Sequence, residues 1–223
     1  MHLHVHRTTA LKPFRYTDLL KLQEQAFETL KSTDVGSLLI AEVEPIITLG
    51  RRGSVAGLLM DDRALYMKQG IEILEVNRGG EATYHGPGIA VVFLVEKLER
   101  LVSDSKAVRE LTEKLLGAGL QAVQALSDAP FEMRSGSEVG LWKSSRPEKI
   151  ASLGIELRQR ILLHGMAFNL WKEGPSFFGL NPCALPAARP GYVFHSTDPG
   201  HFPRALQAIV EAFSQAFCLN SVG

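Results

Sequence analysis

Cys183 stands in the tripeptide Asn181-Pro182-Cys183, inside a stretch from Pro175 to Pro203 that holds six prolines. A thiolate is a strong nucleophile, and a thiol presented on a proline-stiffened loop is mounted to act as one, whereas inert cysteines sit on helix or strand faces. Cys218, at the end of an amphipathic run beside Phe217, is of the inert kind. Lys149 opens the apolar run Lys149-Ile-Ala-Ser152-Leu153-Gly154, so its amine can be held against a sheet, although a lysine at a strand end is more often a solvated flank. A third segment, Arg78-Gly79-Gly80-Glu81-Ala82-Thr83-Tyr84-His85-Gly-Pro-Gly88, pairs glycines that let a backbone approach a ligand with side-chain donors on Thr83, Tyr84 and His85. Taken alone it also reads as a glycine-rich hairpin. His164-Gly165-Met166-Ala167-Phe-Asn169 adds a histidine beside a glycine, which alone is as easily a satisfied strand residue.

The elements that must position these groups alternate between strand and helix periods. Met1 to His6 alternates strictly, with Leu3 and Val5 on one face and His2, His4 and His6 on the other, the period of an exposed strand. From Tyr16 the stripe Leu19, Leu22, Ala26, Phe27, Leu30 is helical, with Gly36 after it. Strands are expected over Ser37 to Val43, Ile46 to Leu49, Ile71 to Val76, Ile89 to Val95, Val139 to Lys143, Lys149 to Leu157 and Ile161 to Leu170. Asp61 can cap a short helix that Gly70 ends, and Ser103 or Asp104 can open one carrying Val108, Leu111, Leu115 and Leu116 that Gly117 and Gly119 close. Asn77 to Gly88 and Pro175 to Pro203 read as loops, and a last helix from Pro203 turns Leu206, Ile209, Val210, Phe213 and Phe217 inward. This order predicts an α+β fold, a mixed sheet with packed helices, in a single domain over residues 1–223.

Composition excludes several functions. Lys+Arg and Asp+Glu both number 24, so the positive field of a general nucleic-acid binder is missing. Two cysteines make neither a secreted disulfide framework nor a structural zinc site, which fits a reducing cytoplasm. No apolar run is long enough to span a bilayer, and the first residues lack the apolar region of a secretory signal.

Together the segments resemble one family. Arg78 to Gly88 is similar to the signature of the lipoate-biosynthesis octanoyltransferases, the lipoyl(octanoyl) transferases. Lys149 to Gly154, His164 to Ala167 with Asn169, and Asn181-Pro-Cys183 follow in that family's order, and the likeness takes in Thr48-Leu-Gly-Arg-Arg-Gly53 and Val139-Gly-Leu-Trp142. Ile89 and Ala184 depart from the family's usual glutamine and glycine, and the run from Ala184 to Pro203 is also unlike it.

The resemblance implies the biotin/lipoate protein ligase fold and puts the catalytic cysteine at Cys183 with Lys149 as its partner. It implies acyl-substrate loops at Arg78 to His85, at Ser152, Leu153 and Gly154, where the glycine would leave room for an acyl chain, and at His164, Gly165, Met166 and Ala167. No cofactor is implied. The partners implied are octanoyl-acyl carrier protein, the lipoyl domains of 2-oxoacid dehydrogenase complexes and the glycine cleavage H protein, with no nucleic acid and no membrane. Arg51, Arg52 and Arg78 are expected to form a basic rim for the acidic carrier. Two rival readings are an ATP-dependent lipoate or biotin ligase, which would not need Cys183, and a non-catalytic domain that binds acyl groups or carriers. His2, His4 and His6 share one strand face and can in principle hold a metal, but a polar face turned to water is the commoner arrangement, and no metal is expected.

Overall fold

The computed structural model describes residues 1–7, 12, 14–53, 66, 68–103, 108–173 and 188–218. In chain order the elements are β1 (His2–Arg7), α1 (Tyr16–Thr33), β2 (Ser37–Glu42), β3 (Ile46–Leu49), β4 (Glu72–Glu75), β5 (Ala82–His85) and β6 (Ile89–Lys97). There follow α2 (Leu98–Leu101), α3 (Val108–Gln124), β7 (Phe131–Arg134), a 3-10 turn at Gly136–Glu138, β8 (Gly140–Lys143), β9 (Glu148–Arg158), β10 (Ile161–Asn169), β11 (Arg189–Pro190) and α4 (His201–Phe217). No helix among the described residues is long and apolar enough to cross a membrane.

The large sheet runs β1-β2-β6-β10-β9-β8-β7, antiparallel except for the parallel β1–β2 pair, with β11 parallel to the start of β9. A second sheet, β4-β3-β5, lies apart from it. The central strands are buried on both faces, so they read as unbroken apolar runs. Leu38, Ile40, Val92 and Leu94 pack under α3 and α4, while Leu39, Ala41, Phe93 and Val95 pack under α1 with Leu19, Phe27 and Leu30.

Several expectations need correction. In β1 it is Leu3 and Val5 that are exposed, at 47% and 39%, while His4 and His6 are half-buried and His6 stacks on Phe14. The strand is parallel to β2 with Leu3 beside Leu38 and Val5 beside Ile40, which puts its apolar side on the face of α3 and α4 but beyond their cover. Helix α1 ends at Asp34 in the left-handed conformation, two residues before Gly36. Helix α3 runs through Gly117 and Gly119, because a Cβ at Gly119 would stand 2.8 Å from Met166 Cε and 3.2 Å from Leu141 Cδ1: the glycine is there for close helix-to-sheet packing. β7 was not expected, and β5 occupies what reads as loop in the sequence, a four-residue β-prone run hidden between glycines. Pro203, by contrast, lies where expected, in the first turn of α4, which starts at His201, and no amide partner is lost there. The helix expected after Asp61 begins outside the described residues, which show only its last turn before Gly70. Ser103 is described, but the residues that would open α3 lie outside.

Candidate active site

A narrow cavity opens on the α1 side of the large sheet. Its floor is small: Ser152 and Gly154 of β9 face Ala167 and Gly165 of β10, with Val91 and Phe93 of β6 beside them. His164 has φ 60 and Gly165 φ 159, so the β10 backbone departs from a regular strand at this point. The amide of His164 is held by the Gln23 carbonyl oxygen Oε1 at 2.7 Å, and a Cβ at Gly165 would collide with the Val92 carbonyl at 2.3 Å. Leu153 and Met166 also line the cavity, although both belong to the core beneath α3 and α4.

The opposite wall is polar. Thr83 and His85, alternate residues of β5, face the cavity together with Tyr16 and Arg78. Ala82 and Tyr84 point the other way, and Tyr84 packs with Ile47, Leu49 and Tyr66, so the expectation that Tyr84 joins Thr83 and His85 as a ligand donor is corrected by the pleat of β5. Burial lifts the Tyr84 hydroxyl to about 12, reinforced by Tyr192.

Arg78 is buried, 5% exposed, which removes it from the expected basic rim, whereas Arg51 and Arg52 are exposed. Its Nη2 donates to the carbonyl and hydroxyl oxygens of Thr48 at 3.0 and 2.7 Å, its Nη1 to the Gly79 carbonyl at 3.0 Å, and it also contacts the Tyr16 hydroxyl. All these partners are neutral. Burial lowers the guanidinium from its ordinary value, against the support of Tyr16, and lifts Tyr16 to about 12 despite Arg78. Glycines make the room: a Cβ on Gly50 would stand 2.8 Å from Arg78 Nη1, and one on Gly154 would stand 2.9 Å from Arg78 Cδ and 2.8 Å from the Gly79 carbonyl. Gly154 is therefore open to admit Arg78 and its loop, and the space left by its missing side chain is already filled.

Thr48 also ties Arg78 to His85. Its Oγ1 accepts from Arg78 and lies 3.0 Å from His85 Nε2, with the Thr83 carbonyl a more distant alternative at 3.5 Å. His85 Nδ1, at the other side of the ring, is a buried atom with no partner among the described residues. Burial first, then Arg78 and His164, hold His85 well below the usual histidine range, so it stays neutral.

The remaining glycine-loop residues stitch rather than line. Gly79 donates its amide to the Ile155 carbonyl, the Gly80 carbonyl accepts from Arg52, and the Glu81 carbonyl accepts from Gly50. His164 lies behind Phe93, ring to ring at 5.0 Å, with its Nε2 3.7 Å from Glu156. Burial, then Arg78, Arg158 and Arg51, push it down to about 3.

Lys149 is 5% exposed, and its Nζ donates to the Val139 carbonyl at 2.7 Å and lies 5.5 Å from the Trp142 ring centre. Its orientation depends on a bulge. Gly140 pairs with Ser152 and Leu141 with Ala151, but Trp142 pairs with Lys149, leaving Ile150 as an extra residue. Ile150, Ala151 and Leu153 all enter the core under α3 and α4, so Lys149 falls on the face of Ser152, over Gly140, where a Cβ would stand 2.5 Å from Lys149 Cε. Its carbonyl accepts from Asn169 Nδ2 at 3.0 Å and from the Gly191 amide at 2.8 Å, and β11 pairs with Glu148 and Lys149. Cys183, with Asn181 and Ala184, lies outside the described residues; Cys218 is an exposed free thiol at the end of α4. Among the described residues no three histidines, cysteines or carboxylates converge on a metal site.

Tyr16, Thr48, Val91 and Phe93 were not singled out from sequence as site residues. Thr48 lies in a segment that carries the resemblance, but Tyr16, Val91 and Phe93 follow ordinary core periodicity and give no separate signal.

Residues 15–187 match the model of the lipoyl protein ligase A/B catalytic domain. The chain is 31% identical over 212 residues to an octanoyltransferase of Maricaulis maris, covering 89% of this chain and 87% of that protein. It is 34% identical over 157 residues to an octanoyltransferase of Desulfotalea psychrophila, covering 68% and 66%. Among solved structures it is similar to lipoate-protein ligase A bound with ATP, with a TM-score of 0.74 at 16% identity over 97% of this chain and 85% of that one. A bipartite lipoate protein ligase of Thermoplasma acidophilum gives a TM-score of 0.69 at 16% identity, covering 99% and 85%. These last likenesses show the fold.

Proposed function

We propose that this chain, which belongs to the lipoyl protein ligase A/B catalytic-domain family and groups with its octanoyltransferases, carries the octanoyl group as a thioester on Cys183 with Lys149 as the partner of that thiol. Octanoyl transfer in lipoate biosynthesis is the activity of the family branch. The finer reading is that octanoyl-acyl carrier protein supplies the group. The recipients are lipoyl carrier domains, including those of 2-oxoacid dehydrogenase complexes and the glycine cleavage H protein. Residues 1–223 would act as a single cytoplasmic catalytic domain.

The observation that carries the reading is the staple at Lys149. Its carbonyl is held at once by Asn169, just before the segment that contains Cys183, and by Gly191, just after it. An ammonium beside a thiol favours the thiolate, whose unperturbed pKa is near 8.5. The thiolate attacks the thioester carbonyl, the carrier's thiolate leaves and is protonated, and one thioester replaces another. The carrier lysine then attacks as a neutral amine; Lys149, deprotonated once its thiolate partner is consumed, takes the proton that the new amide nitrogen loses, and Cys183 departs as the thiolate.

The ligase alternative shares the fold but would leave Cys183 without a task. Incubation with octanoyl-acyl carrier protein in the absence of ATP, followed by intact mass measurement and peptide mapping, separates them. One octanoyl adduct on Cys183, removed by hydroxylamine and absent from Cys183→Ser, is expected. An adduct on Cys218, or activity that requires ATP, would overturn the reading.

A further inference from the structure

Phe93 stands at the end of the cavity away from Lys149. On the α1 face the strands present residues in rows: Ser152, Ala167 and Val91 form the row nearer Lys149, and Gly154, Gly165 and Phe93 form the next. Two residues of the second row have no side chain; Arg78 fills the room over Gly154, and Phe93 stands up from the row itself on the β6 side. Its ring is braced by Tyr16, edge to face at 6.0 Å, and by His164 at 5.0 Å. Beyond it Val95 and Leu163 are packed under α1 with Leu19 and Phe27, and Gln23 ties the kinked backbone of His164. Among the described residues these buried side chains fill that side.

Resting on the octanoyl-transfer reading, we infer that Phe93 is the stop that sets acyl-chain length. Lys149 to Ser152 spans only Trp142 to Gly140 on the partner strand, because of the bulge, so the first row lies about 7 Å from Lys149 and the second about 7 Å further. An extended octanoyl chain, a zigzag of C–C bonds of about 1.5 Å, reaches roughly 9 Å from its carbonyl carbon. With that carbon between Lys149 and the first row, the terminal methyl meets the Phe93 ring. Two more methylenes need roughly 2.5 Å more, which the ring occupies.

The test is competition between octanoyl- and decanoyl-acyl carrier protein, read as the ratio of the two acyl-enzymes by intact mass. The unmodified protein forms the octanoyl adduct in excess. Phe93→Ala and Phe93→Leu raise the decanoyl-to-octanoyl ratio by about tenfold or more, the scale on which a hydrophobic pocket distinguishes methylenes. Phe93→Trp moves the preference toward hexanoyl when that carrier is included. Phe93→Leu loses fewer buried atoms, so it keeps the test decisive where Phe93→Ala fails to fold. An unchanged ratio in folded Phe93 variants that still form the octanoyl adduct overturns the length stop alone. Failure of the unmodified protein to form any acyl-enzyme removes the transfer reading and the stop with it.

Discussion

The side-chain amide of Asn169 donates to the main-chain carbonyl of Lys149 at 3.0 Å, while the Asn169 carbonyl accepts from Val193 at 3.0 Å. The last residue of β10 thus holds both the strand that carries Lys149 and the chain that returns beside it. Asn169→Ala would remove one of the two donors to the Lys149 carbonyl, which keeps Gly191, at about 0.5–1.5 kcal/mol, and free Lys149 to shift. Expected is a modest fall in melting temperature and a larger fall in acyl-enzyme formation, with the pH profile of Cys183 alkylation displaced upward. If alkylation keeps its profile while stability falls, Asn169 supports the fold without positioning Lys149.

Two glycines of α3 test helix packing independently of the chemistry. A Cβ at Gly117 meets nothing within 4 Å, so Gly117→Ala should add about 1 kcal/mol of stability through helix propensity. At Gly119 the same change must push Met166 and Leu141, and because Met166 also lines the cavity, the gain in propensity should be lost and acyl transfer slowed. Urea unfolding of both variants decides this; equal gains would mean that α3 does not press on the sheet at Gly119.

His164 gives a pH dependence with a definite sign. Its folded value, near 3, lies below the 6.5 of an unfolded histidine, so below about 6.5 the unfolded state binds the extra proton. Its contribution to stability is then intact above pH 6.5 and declines as pH falls toward 3, by about 2 kcal/mol by pH 5. Asparagine tolerates the left-handed backbone at this position, so His164→Asn should fold at pH 7 and lose less stability than the parent between pH 7 and 5. His85, also buried and held low, keeps its own share of the slope in both proteins. Parallel slopes for parent and variant would show that His164 does not titrate on unfolding.

Much of this arrangement is legible in the sequence, and the exceptions share a cause. The central strands and the helices beginning near Tyr16 and Pro203 follow from periodicity, and the glycine, lysine and histidine segments come to one region of the sheet. Periodicity cannot reveal β5, because four residues between glycines are too few to show a repeat, nor the bulge at Ile150, which changes the face of Lys149 without changing residue type. Arg78 reads as a rim cation because an arginine beside glycines is usually solvated. Its burial depends on Gly50 and Gly154, distant in sequence, each leaving space for the same side chain.

With Arg78 buried, the proposed steering of the carrier would fall to Arg51 and Arg52, exposed at the loop whose amides bind the Arg78 and Gly80 carbonyls. Arg51→Glu with Arg52→Glu should slow acylation by octanoyl-acyl carrier protein at low salt and flatten its dependence on ionic strength, while acylation by a small neutral octanoyl thioester stays near the parent rate. An unchanged salt dependence would place the docking surface elsewhere.

The two tasks proposed for Lys149 differ as a charge differs from a base, and substitution can separate them. Lys149→Arg keeps a positive charge, so the thiolate of Cys183 should remain favoured, but a guanidinium cannot accept a proton near neutral pH. Acyl-enzyme formation should then survive better than transfer to a lipoyl domain. Lys149→Met removes charge and base while keeping most of the apolar stem over Gly140 and Trp142, so both steps should slow. The planar head of arginine must fit where Nζ now meets the Val139 carbonyl, so melting temperature and octanoyl-carrier binding are measured first. Single-turnover acylation, followed separately by reaction of the isolated acyl-enzyme with apo lipoyl domain, resolves the halves. Equal losses in both for Lys149→Arg would remove the separate base role, and parent rates in both for Lys149→Met would remove Lys149 from the mechanism.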